Sequence, residues 1–173
     1  MIEKIVTGGQ TGVDRAGLDA AIDLNINYGG WCPKGRIDEK GIIPDKYRNL
    51  VEIPNNIENE KENYDTRTKM NIRDSDATLI FLPCFPIPLE IQDGTLLTIN
   101  EVSTQNKPFL LLNLKNDPEE NSIIFFEWIR SNNVSILNIA GPRESNSPGI
   151  YKNSYDFLSK FLPTLNISHS YSM

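Results

Sequence analysis

At 173 residues, with 39% apolar and 23% charged side chains, the chain has the size and composition of one folded domain with a single core. A net charge of −6 opposes general attraction to a phosphate backbone, so a nucleic-acid reader is not expected. No apolar run approaches the ~20 residues of a membrane helix, residues 1–6 lack signal-peptide features, and Cys32 and Cys84 lie far apart without CxxC partners; a membrane-free, cytoplasmic protein is expected.

Residues 2–7 read as a short buried strand, and the glycines after it open a helix over about 13–24. Val13, Ala16, Gly17, Ala20, Ala21 and Leu24 fall on one face of that helix, small enough to lie close on a sheet. Residues 28–31 give a short second strand, and 32–63 an irregular stretch punctuated by Pro33, Gly35, Gly41, Pro44 and Pro54. A helix over 64–73 leads into the continuous apolar strand 77–82. A loop (83–93), a helix (94 to about 105), a strand (108–114), a helix (118–131), a strand (135–140), a loop (141–149) and a closing helix to about 162 complete the pattern. Alternating strands and helices predict one Rossmann-like domain over 1–163, a three-layer α/β/α sandwich on a mainly parallel sheet, with a loose tail over 164–173.

Gly8, Gly9, Gln10, Thr11 and Gly12 follow the first strand. Glycines there let backbone N–H groups approach a ligand, the helix adds its positive end, and Arg15 one turn in adds a cation; together they suit a phosphate or another oxyanion. A tight turn that needs glycine only for backbone geometry is the alternative. The spacing is neither GxGxxG nor a P-loop. Trp31, Lys34, Gly35 and Arg36 place an aromatic face and two cations about a turn, suited to clamping a ring and its phosphate; a core tryptophan beside a solvated basic turn fits equally. Arg67, Asn71 and Asp74 share one side of the helix over 64–73, with Arg73 next to Asp74, and run towards the crevice at the strand ends; a salt-bridged surface is the plainer reading.

Gly94 and Thr95 open a helix and offer N–H groups and a hydroxyl to an anion, or a simple cap. Arg143 lies in the loop after the last strand. Five such loops at strand carboxyl ends predict a locally positive cleft on an acidic protein, holding a small anionic ligand. His169, the only histidine, falls in the tail, which argues against a histidine triad or a histidine-rich metal site. Asp14, Asp74, Asp76, Asp93, Glu101 and Glu144 lie near the motifs, but none declares itself as a base.

Gly8–Arg15, Gly29–Arg36, Arg67–Thr68, Asn71–Thr78 and Asn138–Ser145, taken together over residues 5 to about 158, resemble the molybdenum cofactor carrier protein family. That family is similar to a wider Rossmann-like group that includes phosphoribohydrolases of the "lysine decarboxylase-like" type. The resemblance implies a cytoplasmic homo-oligomer that holds molybdenum cofactor (molybdopterin) without transforming it, with molybdenum enzymes or cofactor-synthesis proteins as partners. The hydrolases of the group carry a PGGxGTxxE motif whose glutamate cuts an N-glycosidic bond. Here the counterpart is Asp93-Gly94-Thr95-Leu96-Leu97-Thr98, with Thr98 where the glutamate would stand. A non-catalytic carrier is therefore the first reading, a nucleoside-monophosphate phosphoribohydrolase the second, and a nucleotide-sensing module the third.

Overall fold

The computed structural model describes residues 1–54 and 59–167. In chain order the elements are β1 (Lys4–Val6), α1 (Val13–Asp23), β2 (Asn27–Cys32), β3 (Ile37–Asp38), β4 (Gly41–Ile42), β5 (Leu50–Glu52), α2 (Glu60–Arg73), β6 (Ala77–Leu82), α3 (Gln92–Thr104), β7 (Phe109–Asn113), α4 (Pro118–Ser131), β8 (Ile136–Ala140) and α5 (Ile150–Ile167). Six strands form one sheet in the order β5-β2-β1-β8-β6-β7, and every pairing in it is parallel. β3 and β4 form a separate antiparallel hairpin. The architecture is the expected Rossmann-like sandwich.

The two faces of the sheet are packed differently. On one face α1, α4 and α5 close over the larger core, in which Phe157 meets Phe81 and Phe125 edge-on at 5.5 and 5.9 Å. β6 lies inside the sheet with all six residues buried, which is why it reads as an unbroken apolar run. On the other face α3 packs Ile99 against a smaller cluster built on Ile80, Leu82 and Ile91, and α2 lies against β2 and α3. α2 buries only Asn63, Asn71 and Ile72, so its inner side is polar where a core helix would be apolar.

Four boundaries differ from the sequence reading. Residues 32–63 hold the hairpin and the three-residue edge strand β5, each too short to show a period. α2 begins at Glu60, one turn before residue 64, because the Asn59 side chain accepts from the N–H groups of Lys61 and Glu62. α3 begins at Gln92, which makes Gly94 its third residue and not its opening. α5 continues through Pro163 to Ile167, and Leu165 is buried, where a loose tail was expected. His169 lies outside the described residues.

Candidate functional site

From β1 the chain moves outward to β2 and β5; it then restarts at β6, moves outward the other way to β7, and returns to β8 beside β1. The carboxyl ends of β1 and β8 therefore flank the point where the winding reverses, the usual ligand crevice of an open α/β sheet. A cleft of about 840 Å³ opens there. Gly8, Gln10 and Asp14 form one wall, α2 from Glu60 to Asn71 a second, Glu90–Asn100 a third, and Asn138–Arg143 with Asn146 the floor.

Much of the glycine loop's hydrogen bonding is met from within. The N–H of Gly9 donates to Thr7 Oγ1 (3.2 Å), that of Gln10 to Asp14 Oδ2 (3.2 Å), that of Thr11 to Gln10 Oε1 (2.9 Å), and that of Val13 to the Pro142 carbonyl (3.2 Å). Gly12 packs its Cα against the backbone of residues 142–144 at a φ of +77°, so a tight-turn requirement is real at that position. Gly8 is needed for another reason: the Arg67 guanidinium lies across it, and a Cβ there would sit 1.5 Å from Nη1.

The cations of the motifs divide into those that brace loops and those that face the cleft. Arg15 pairs with Asp38 at 2.6 Å, donates to the Gly9 carbonyl at 3.1 Å and stacks on Tyr47, so it holds the back of the loop and does not line the cleft. Arg36 spends its guanidinium on the carbonyls of Leu50 and Tyr47. Arg73 pairs with its neighbour Asp74 on the surface, and Asp74, held below the usual carboxylate range by that arginine, also accepts the Trp31 indole N–H at 2.7 Å. Arg67 reaches the cleft wall and pairs with Asp14 at 2.8 Å. Arg143 enters the cleft over the Tyr64 ring, 5.6 Å from its centroid, and no carboxylate is paired with it among the described residues.

Two asparagines of α2 hold the neighbouring chain in place. Asn71 accepts the Trp31 N–H at 2.7 Å and donates to the Trp31 carbonyl at 2.9 Å; Asn63 does the same to Lys34 at 2.7 and 3.1 Å. Gly35 donates its N–H to Glu52 at 2.6 Å. Trp31, Lys34, Gly35 and Arg36 thus form a braced exit from β2 outside the cleft lining, and Asn71 touches the cleft while its amide is occupied.

Of the residues singled out from sequence, the fold brings Gly8, Gln10, Arg67, Asn71, Gly94, Thr95 and Arg143 into the cleft; Gly9, Thr11, Gly12, Arg15, Trp31, Lys34, Gly35, Arg36, Arg73 and Asp74 stay outside its lining. It adds Lys61, Tyr64, Asn138 and Thr98. Lys61, Tyr64, Thr68 and Asn71 recur at three and four residues, so extending the polar face of α2 back by one turn would have found the first two. Burial, with Glu60 nearby, pushes the Tyr64 hydroxyl up, which keeps it a neutral donor. The cleft balances Lys61, Arg67 and Arg143 against Asp14, Glu60, Asp65 and Glu90, so its lining is mixed in charge where a positive one was expected.

Thr98, at the place of the hydrolase glutamate, lines the cleft but donates its hydroxyl to the Gly94 carbonyl at 3.0 Å, and Glu101 lies outside the lining, bonded to Gln105 at 2.7 Å. Neither supplies a general acid to the cleft. Among the described residues no cluster of His, Cys, Asp and Glu could hold a metal ion, and no helix is long and apolar enough to cross a membrane. Cys32 is buried, which pushes its thiol up, and Cys84 is half-buried.

The model of the circularly permutated YpsA SLOG family matches residues 5–162. A solved structure from Syntrophus aciditrophicus SB, named "Putative molybdenum carrier protein", superposes with a TM-score of 0.82 at 40% identity, over 93% of this chain and 95% of that one. No curated protein matches the chain.

Proposed function

Because the chain belongs to the circularly permutated YpsA SLOG family, we propose that it is a carrier that binds, without transforming, a molybdenum-related anionic ligand bearing a phosphate, with molybdenum cofactor as the first candidate. The name of its 40% identical structural relative supports a molybdenum-related cargo. The observation that carries the reading is Arg143: a guanidinium stacked on Tyr64, with no paired carboxylate among the described residues, inside a cleft at the winding reversal. A stacked arginine offers a planar fork to phosphate oxygens, and the Tyr64 face beside it suits a flat heterocycle. The volume of about 840 Å³ falls in the range of cofactor sites. Arg143 and Lys61 would meet anionic groups of the cargo across the cleft from the glycine loop, with Thr95 and the Tyr64 hydroxyl as neutral donors.

In this reading the protein works in the cytoplasm as a homo-oligomer and passes its cargo to molybdenum enzymes or to proteins of cofactor synthesis. The test is anaerobic titration with cofactor released from a molybdoenzyme, beside nucleoside monophosphates. Saturable cofactor binding is expected, weakened about tenfold or more by Arg143→Ala through loss of a charge-assisted contact. Steady release of free base from the nucleotides, or affinity unchanged in Arg143→Ala, would overturn the carrier reading.

A further inference from the structure

We propose that the Asp14 carboxylate is a resident anion: it occupies the position that the glycine loop would give to a ligand oxyanion, and a ligand binds by displacing it. This rests on reading the cleft as an anion site. Asp14 is 4% exposed, and its Oδ2 receives the Gln10 N–H at 3.2 Å and Arg67 Nη1 at 2.8 Å. A backbone N–H of a glycine loop that leads into a helix and a guanidinium are donors that bind phosphate groups elsewhere.

The donors here exceed what one carboxylate satisfies. Gln10 lines the cleft and is 5% exposed; its Oε1 is taken by the N–H groups of Thr11 and Glu39, while its buried Nε2 has no acceptor in hydrogen-bond geometry, although it lies near enough to the Tyr64 hydroxyl to affect it. Arg67 Nε is likewise buried without an acceptor. Buried donors left over in this way call for a further acceptor. A tetrahedral oxyanion presents three or four oxygens where Asp14 presents two.

Displacement sets the ligand class. A monoanion exchanges like for like with the carboxylate and gains little, whereas a dianion brings surplus charge to the same donors. The loop therefore favours dianionic groups such as a phosphate monoester. It also keeps affinity moderate, as release of a cargo requires, because Asp14 returns as the ligand leaves.

The test uses phenyl phosphate and benzenesulfonate at pH 8, a dianion and a monoanion of similar shape, titrated into the wild-type chain, Asp14→Asn and Asp14→Ala by calorimetry, with thermal melting to check folding. We expect wild type to prefer the phosphate, and the variants to bind phenyl phosphate about tenfold tighter and to narrow the gap to the sulfonate. In the wild-type chain the Gln10 amide and Arg67 Nε–H resonances are expected to shift on saturation with phenyl phosphate. Equal or weaker binding by both folded variants, with wild type binding, overturns the displacement while the anion reading stands. Should the variants fail to fold, unmoved Gln10 and Arg67 resonances in saturated wild type overturn it. Absence of binding by wild type and variants alike overturns the anion reading and the displacement with it.

Discussion

Gly12 and Gly8, four residues apart, separate two kinds of sensitivity. At Gly12 a Cβ would come within 2.4 Å of the Pro142 carbonyl and 2.8 Å of the Glu144 N, both backbone, and its φ of +77° strains any side chain. Gly12→Ala is expected to cost about 2–4 kcal/mol in urea denaturation. At Gly8 the obstruction is the far end of a flexible side chain, Arg67, so Gly8→Ala is expected to lower Tm by only a few degrees, about 1 kcal/mol, while weakening anion binding more than it weakens the fold. A third case lies in α5, where the Ser154 hydroxyl is fully buried without a partner. Ser154→Ala is expected to be neutral or stabilising by up to about 1 kcal/mol, read as a rise in Tm. At this scale the sequence showed which residue types gather at the strand ends, but not their partners. Arg15 and Arg36 looked available because Asp38 and the Leu50 carbonyl, which occupy them, are brought near by tertiary folding.

The hairpin β3–β4 acts through one residue between its strands. Glu39 accepts the hydroxyls of Thr11 and Ser145 and the Ser145 N–H, tying the glycine loop to the loop after β8. Burial alone would raise its carboxyl, but these donors hold it below its ordinary value of 4.5. A group depressed in the folded state contributes stability above its unfolded pKa and loses it as pH falls through the folded one. The difference in urea midpoint between wild type and Glu39→Gln is therefore expected to be widest at neutral pH and to close as pH falls below the ordinary carboxylate range; a constant difference would show that the charge is not what matters. No sequence period announces this hairpin, for two-residue strands have none, whereas α1 was legible from its one-sided apolar face and β6 from its unbroken apolar run. The start of α2 was hidden because Glu60 to Asn63 are polar on every side.

Across the molecule, the large aromatic core lies on the α1, α4 and α5 face, while α3 rests on a smaller cluster, α2 buries only Asn63, Asn71 and Ile72, and both border the cleft. Local opening follows apolar burial. Amides of α2 are expected to exchange hydrogen about tenfold or more faster than those of β6 and α5, and to slow when a ligand fills the cleft; equal rates on both faces would contradict the asymmetry. The sequence conveyed the layers through alternating elements and placed the cleft through the glycines and cations at strand ends. It could not convey that one layer is polar inside, because a solvated helix and a cleft-facing helix have the same composition.

Asn63 and Asn71 extend the sheet's hydrogen bonding sideways into a helix, each side-chain amide standing in for a peptide opposite Lys34 and Trp31. The wall of the cleft that carries Lys61, Tyr64 and Arg67 is thereby yoked at two points to the strand exit that leads into the hairpin. Through that exit the same wall is joined to the clasp that Glu39 makes between Thr11 and Ser145, so α2, the hairpin and the two loops are fastened as one frame around the cleft.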